Sequence, residues 1–177
     1  QYTRDLVDKL EKVCLDALAE RKPGRLSWSQ GRARFAANRR TPGGPVDHSL
    51  PVLKLVTPDG TLRAIVANYA CHCTTLRPEE NVIDGDWAGY AQTAIEADHP
   101  GCIALTLVGC GADANPTRQY VPGAAKDHGR ALADEVNQRL KGAWTELPEV
   151  PKISYERLSL PFDKIPTRAE LEAIEKG

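Results

Sequence analysis

The 177-residue chain contains no methionine. An open reading frame begins with Met, and the first residues already read as a helix under way, so the expectation is a partial domain over residues 1–177, truncated at both ends. A charge surplus is missing too. The 23 Lys and Arg residues against 24 Asp and Glu leave a formal net charge of −1, which gives no long-range field to draw in nucleic acid or an anionic membrane. No stretch approaches the roughly 18 to 20 apolar residues of a membrane-spanning helix. There is no internal repeat and no phosphate loop: Gly109-Cys110-Gly111 lacks a third glycine at the fingerprint spacing and has no Lys-Ser or Lys-Thr behind it. Five cysteines is an odd number, so at least one thiol is free unless it pairs beyond this segment. Neither nucleic acid nor an anionic membrane is favoured as a partner.

What is present is organised around residues 65–116. Residues 65–70 form a short apolar run of the kind that fills a strand buried on both faces, and they end in Cys71-His72-Cys73. Residues 102–108 repeat the pattern and end in a polar, Gly-rich stretch, 109–116. Between them Asp84-Gly85-Asp86 precedes a helix whose Trp87, Tyr90, Ala91, Ala94 and Ile95 make one stripe, with Asp86 placed to cap its first turn. That order predicts a parallel strand pair with a crossover helix, whose strand ends open on one crevice.

Residues 3–21 read as an amphipathic helix with Leu6, Leu10, Val13, Cys14, Ala17 and Leu18 on one face, and residues 26–35 as a strand with one wet face. Residues 52–56 and 62–69 flank Thr57-Pro58-Asp59-Gly60, a hairpin turn by its chemistry. Ala125, Gly129, Leu132, Val136 and Leu140 mark a further helix, residues 152–160 alternate as an edge strand, and a last helix begins at Arg168. The expected fold is α/β, a mixed and mostly buried sheet flanked by helices, belonging to a larger catalytic domain.

His72 is the foremost candidate for chemistry, because neutral imidazole is a common zinc ligand and a strand end fixes it against the crevice; a hydrogen-bonded core histidine is the alternative. Cys71 and Cys73 flank it but alternate away from it along an extended strand, so small buried hydrophobes describe the thiols better than a thiolate metal site. Asp84, Asp86 and Asp113 read either as caps and turn formers or as site carboxylates. Asn115, held extended by Pro116, reads either as a donor to a substrate carbonyl or as an exposed loop residue. His48, His99 and His128 read as structural or solvated.

Asn38-Arg39, residues 51–56 leading through Pro58-Asp59-Gly60 to Ala70-Cys71-His72, Asp84-Gly85-Asp86 with Gly89-Tyr90-Ala91, and residues 111–116 together resemble the neutral/alkaline, non-lysosomal ceramidase family. The resemblance covers roughly residues 30–120 and implies part of the N-terminal catalytic domain of a zinc amidase that cleaves the N-acyl bond of ceramide. By resemblance His72 is one zinc-binding histidine and Arg39 helps hold the active-site end of the substrate. The remaining Zn2+ ligands, a second His, a Glu and a Tyr, are expected outside this segment. The resemblance also suggests a periplasmic or secreted location. One position departs from the family: Asn115 stands where its active-site Ser belongs, and an amide cannot serve as a hydroxyl nucleophile. Two expectations follow. Either metal-activated water attacks an acyl bond, with Asp113 as base and Asn115 or Arg39 polarising the carbonyl, or the chain is a non-catalytic relative that binds a lipid or glycan.

Overall fold

The computed structural model describes residues 1–150 and 152–176. Its sheet grows from the hairpin: Ser49–Val56 (β3) and Leu62–Tyr69 (β4) pair antiparallel across the Thr57–Gly60 turn. Gly60 sits at φ +90 there, where a side chain would be strained, and its N–H donates to the Thr57 carbonyl. Arg25–Arg32 (β1) pairs antiparallel with β3, and Ile103–Val108 (β5) runs parallel to β4. A two-residue strand, Thr145–Glu146 (β7), completes a mixed sheet of order β5-β4-β3-β1-β7. The expected α/β architecture with a mixed sheet and flanking helices is the one observed.

Asp86–Asp98 (α2) is the crossover between β4 and β5, and Ala124–Leu140 (α3) packs beside it. Trp87, Ala91 and Ile95 on α2 and Leu132, Ala133 and Val136 on α3 join Val52, Ile65, Ala67 and Tyr69 of the sheet in one fully buried core. The two helices cross closely because Gly129 has no side chain; a Cβ there would meet Tyr90 Cβ at 2.5 Å and the Ala91 nitrogen at 2.7 Å. Glu135 and Arg139 pair at 3.1 Å on α3, partly buried, and the Glu135 carboxylate also accepts from the Arg32 N–H of β1.

Four details differ from the sequence reading. Strand β5 is not buried on both faces: Ala104 is buried while Ile103, Leu105 and Leu107 are about half exposed, because α2 and α3 cover a single face of the sheet. Tyr2–Ala19 (α1) is a helix, yet none of its residues is buried among the described residues. Residues 152–162 form no strand, and β7 takes the edge of the sheet beside β1 instead. Arg168–Lys176 (α4) is helical as expected. The fourth detail is Asp86: Gly85 occupies the N-cap, and the Asp86 carboxylate accepts the first-turn Trp87 N–H as expected but also reaches back to Thr75 and Leu76. No helix among the described residues is long and apolar enough to cross a membrane.

Candidate active site

Strands β4 and β5 end side by side, with Tyr69 opposite Val108. Beyond Tyr69 the chain leaves the sheet, and the Gly109 N–H donates back to the Tyr69 carbonyl at 2.9 Å. The next turn packs so tightly on residues 70–71 that a Cβ on Gly111 would lie 2.7 Å from the Cys71 nitrogen. Only glycine allows that approach. It brings the 109–113 loop over the chain entering His72, and the His72 N–H donates to the Ala114 carbonyl at 2.9 Å.

A second, small sheet delivers the other residues. Ala36–Asn38 (β2) and Ala114–Pro116 (β6) pair antiparallel, with Ala37 opposite Asn115 and Asn38 opposite Ala114. The Arg39 N–H continues this ladder to the Asp113 carbonyl at 2.7 Å. Beneath the ladder Phe35 packs against Tyr69, Trp87 and His128, with ring centroids 4.8, 5.5 and 4.6 Å away. The Tyr69 hydroxyl donates to the Ala33 carbonyl and accepts from the Ala36 N–H, which ties β2 to the large sheet. Burial raises the pKa of that hydroxyl, so it stays protonated at any physiological pH.

The structure brings Arg39, His72, Asp113 and Asn115 together around the 112–115 stretch. Arg39 Nη2 donates to the Ala112 carbonyl at 2.8 Å, and His72 Nε2 stands 3.4 Å from the same oxygen. The guanidinium and the imidazole therefore share one corner. In the tautomer whose Nε2 carries the proton, Nδ1 offers a lone pair. Asp113 Oδ2 accepts from Asn38 Nδ2 at 2.7 Å, while Asn38 Oδ1 accepts from the N–H groups of Arg40 and Thr41. Asn38 thus fixes Asp113 and the start of the 40–45 loop at once.

A backbone carbonyl sets the polarity around Asn115. Gln119 Nε2 donates to the Thr74 carbonyl at 2.8 Å, so its Oε1 faces Asn115 and accepts from Asn115 Nδ2 at 3.1 Å. The Asn115 Oδ1 is buried without a partner. The second hydrogen of Nδ2 is left for another acceptor.

Asn38, Gln119 and Trp87, whose Nε1 donates to the His72 carbonyl at 2.9 Å, support the site without having stood out as its supports in the sequence. For Asn38 the Thr-Pro-Gly-Gly after it signalled a turn that an Asn can brace; for Gln119 no local signal exists, since its partners lie across the loop. The thiols divide. Cys71 and Cys102 are buried, and Cys14, Cys73 and Cys110 are exposed. Burial, with Cys73 and Asp86 nearby, pushes the Cys71 thiol up to about 12, so it is protonated at neutral pH in the metal-free chain.

Among the described residues no three His, Cys, Asp or Glu side chains gather closely enough to hold a metal ion. A catalytic zinc takes at least three protein ligands. His72 offers one donor, and a site would need others from outside the described chain.

Solved structures identify the fold. The chain aligns with the neutral ceramidase from Pseudomonas aeruginosa at a TM-score of 0.70 and 22% identity, over 79% of this chain and 26% of that one. The fold is that of a neutral ceramidase segment. A ceramidase complexed with C2 aligns at a TM-score of 0.65 and 21% identity, over 73% of this chain and 24% of that one. The ceramidase-like chain thus spans about a quarter of the length of these enzymes. No protein-family model and no curated protein matches it.

Proposed function

We propose that this chain is part of a hydrolase of the ceramidase type, acting on an amide or related acyl bond of a lipid-like substrate. One observation carries the reading: in a ceramidase fold, His72 and Arg39 meet at the Ala112 carbonyl with Asp113 and Asn115 on the adjoining residues. In this reading His72 is one ligand of a zinc site completed by residues beyond the described chain, where the metal would supply Lewis acidity. Arg39 keeps further N–H donors beside the one on Ala112 and binds the acyl oxygen as negative charge develops on it. Asp113, held by Asn38, takes the proton of the attacking water. Asn115 orients the acyl group through the free hydrogen of its Nδ2.

Hydrolysis of an N-acyl sphingoid base, a simple acyl anilide and the matching ester by the intact protein tests this. Activity on one of them that falls at least ~100-fold in Arg39→Ala, in line with the loss of one transition-state donor, and at least as far in His72→Ala, in line with the loss of a metal ligand, supports the proposal. Full activity in both variants sinks it.

The substitution at 115 motivates a second reading, a relative that binds a lipid or glycan in the same crevice without cleaving it. Asn115→Ser separates the two. Hydrolysis gained only in that variant favours binding without chemistry in the natural protein.

A further inference from the structure

His72 is anchored through its backbone: among the described residues its ring has one hydrogen-bonding partner, the Ala112 carbonyl at 3.4 Å. Its N–H is held by Ala114 and its carbonyl by the indole of Trp87, each at 2.9 Å. The segment that follows is held by one carboxylate. Asp86 Oδ2 accepts from the N–H groups of Thr75 at 2.7 Å and Leu76 at 3.1 Å, and Oδ1 accepts from the Thr75 hydroxyl at 2.6 Å and the Trp87 N–H at 2.7 Å. Asp86 is 4% exposed and its φ is +49, a left-handed conformation that Asp and Asn tolerate better than other side chains. Such a conformation persists where the surroundings over-determine it, and this happens most often beside functional groups. Here they do: the Asp86 N–H is held by Asp84 Oδ1 at 2.6 Å, and Trp87 is fully buried in the core.

We propose that Asp86 is the positioning residue of His72, coupling the rigid start of α2 to the 72–76 segment so that the imidazole is presented at the crevice in one place. The proposal deepens the reading of His72 as a zinc ligand and rests on it. A carboxylate fully used by four donors has no capacity left for substrate, so its action runs through the backbone that carries His72. Supports of this kind set metal affinity, since a ligand that must be ordered on binding binds more weakly.

The test uses the intact protein, zinc as the probe, and two readouts. Zinc affinity is measured by competition with a chromophoric chelator for the wild type, His72→Ala, Asp86→Asn, Asp86→Ala and Thr75→Val. Amide hydrogen exchange is followed at His72, Thr75 and Leu76, with Leu132 and Val136 of α3 as the reference for the global fold. Asn at 86 tolerates the same backbone and must face at least one donor with its own amide N–H groups. Expected is a loss of ~10-fold or more in zinc affinity in both Asp86 variants, a smaller loss in Thr75→Val, and faster exchange confined to 72–76. If Asp86→Ala fails to fold, Asp86→Asn and Thr75→Val decide. Wild-type affinity in folded Asp86 variants overturns the proposal. A wild type that binds no zinc overturns the reading of His72 as a ligand, and exchange at 72–76 then decides alone: unchanged protection in Asp86→Asn overturns the coupling, and lost protection upholds it.

Discussion

Tyr69→Phe isolates the link between the large sheet and the small one. The ring keeps its place against Phe35 and Trp87, and only the hydroxyl is lost. Two buried backbone groups then go unmatched, the Ala33 carbonyl and the Ala36 N–H, held at 3.0 and 3.1 Å in the native protein. Each orphaned buried group costs about 1 to 3 kcal/mol, and partial relaxation puts the sum near 2 to 4 kcal/mol. For a domain of this size that is about 4 to 16 °C in Tm. The site should feel the change as well, because Ala36 begins β2 and β2 ends beside Arg39. Urea denaturation gives the stability loss, and amide exchange at Arg39, whose N–H bonds the Asp113 carbonyl, gives the local one. Stability within ~0.5 kcal/mol of wild type, the range of an ordinary surface substitution, would refute the assignment of Tyr69 as the tie.

Other parts of the structure yield equally direct expectations. Gly129→Ala drives a methyl into the backbone of α2 and should cost about 1 to 3 kcal/mol or more; a melting curve matching wild type would contradict the close helix crossing. His128 is buried with Nε2 unpartnered, and burial, aided by Arg118, lowers its pKa against the opposing pull of Asp127 and Asp86. The unfolded chain therefore takes up a proton near pH 6.5 that the native state refuses, so stability falls as pH drops through about 6.5 and levels off below the native pKa. Denaturant midpoints between pH 8 and 5 should show that slope in the wild type and a flatter one in His128→Leu. With a maleimide at neutral pH, Cys14 and Cys110 should react readily in the native protein, Cys73 more slowly because partial burial and Asp86 raise its thiol pKa, and Cys71 and Cys102 only after denaturation; rapid labelling of Cys71 would contradict its burial.

Much of this fold is written in local chemistry. Pro58 and Gly60 announce the β3–β4 hairpin, and most of each stripe on α2 and α3 reappears as a buried face, with Trp87, Ala91, Ile95, Ala125, Gly129, Leu132 and Val136 buried and Ala94 and Leu140 partly so, while Tyr90 of the α2 stripe is exposed. The pairing of β2 with β6 was not legible. Three-residue strands are too short for periodicity, and their registration of Ala37 with Asn115 depends on residues far apart in the chain. Asp86 shows the same limit from the other side. A local rule sees an acidic residue at a helix start and assigns a cap; the carboxylate does accept the Trp87 N–H, but its other partners, Thr75 and Leu76, lie in a segment that only the folded chain brings to it. The apolar run of β5 likewise announces a strand but cannot say how many of its faces are covered. At the site, His72, Asp113 and Asn115 could be named because they follow strand ends, and Arg39 came from the resemblance. The supports, Gln119 and Asn38, act through partners that only the folded chain reveals.

The most direct measurement is the zinc content of the intact protein, purified without chelator and read by elemental mass spectrometry beside His72→Ala. The account predicts about one zinc per chain in the wild type and its loss in the variant, as for a catalytic site completed by ligands outside this segment. No zinc in either protein would contradict it.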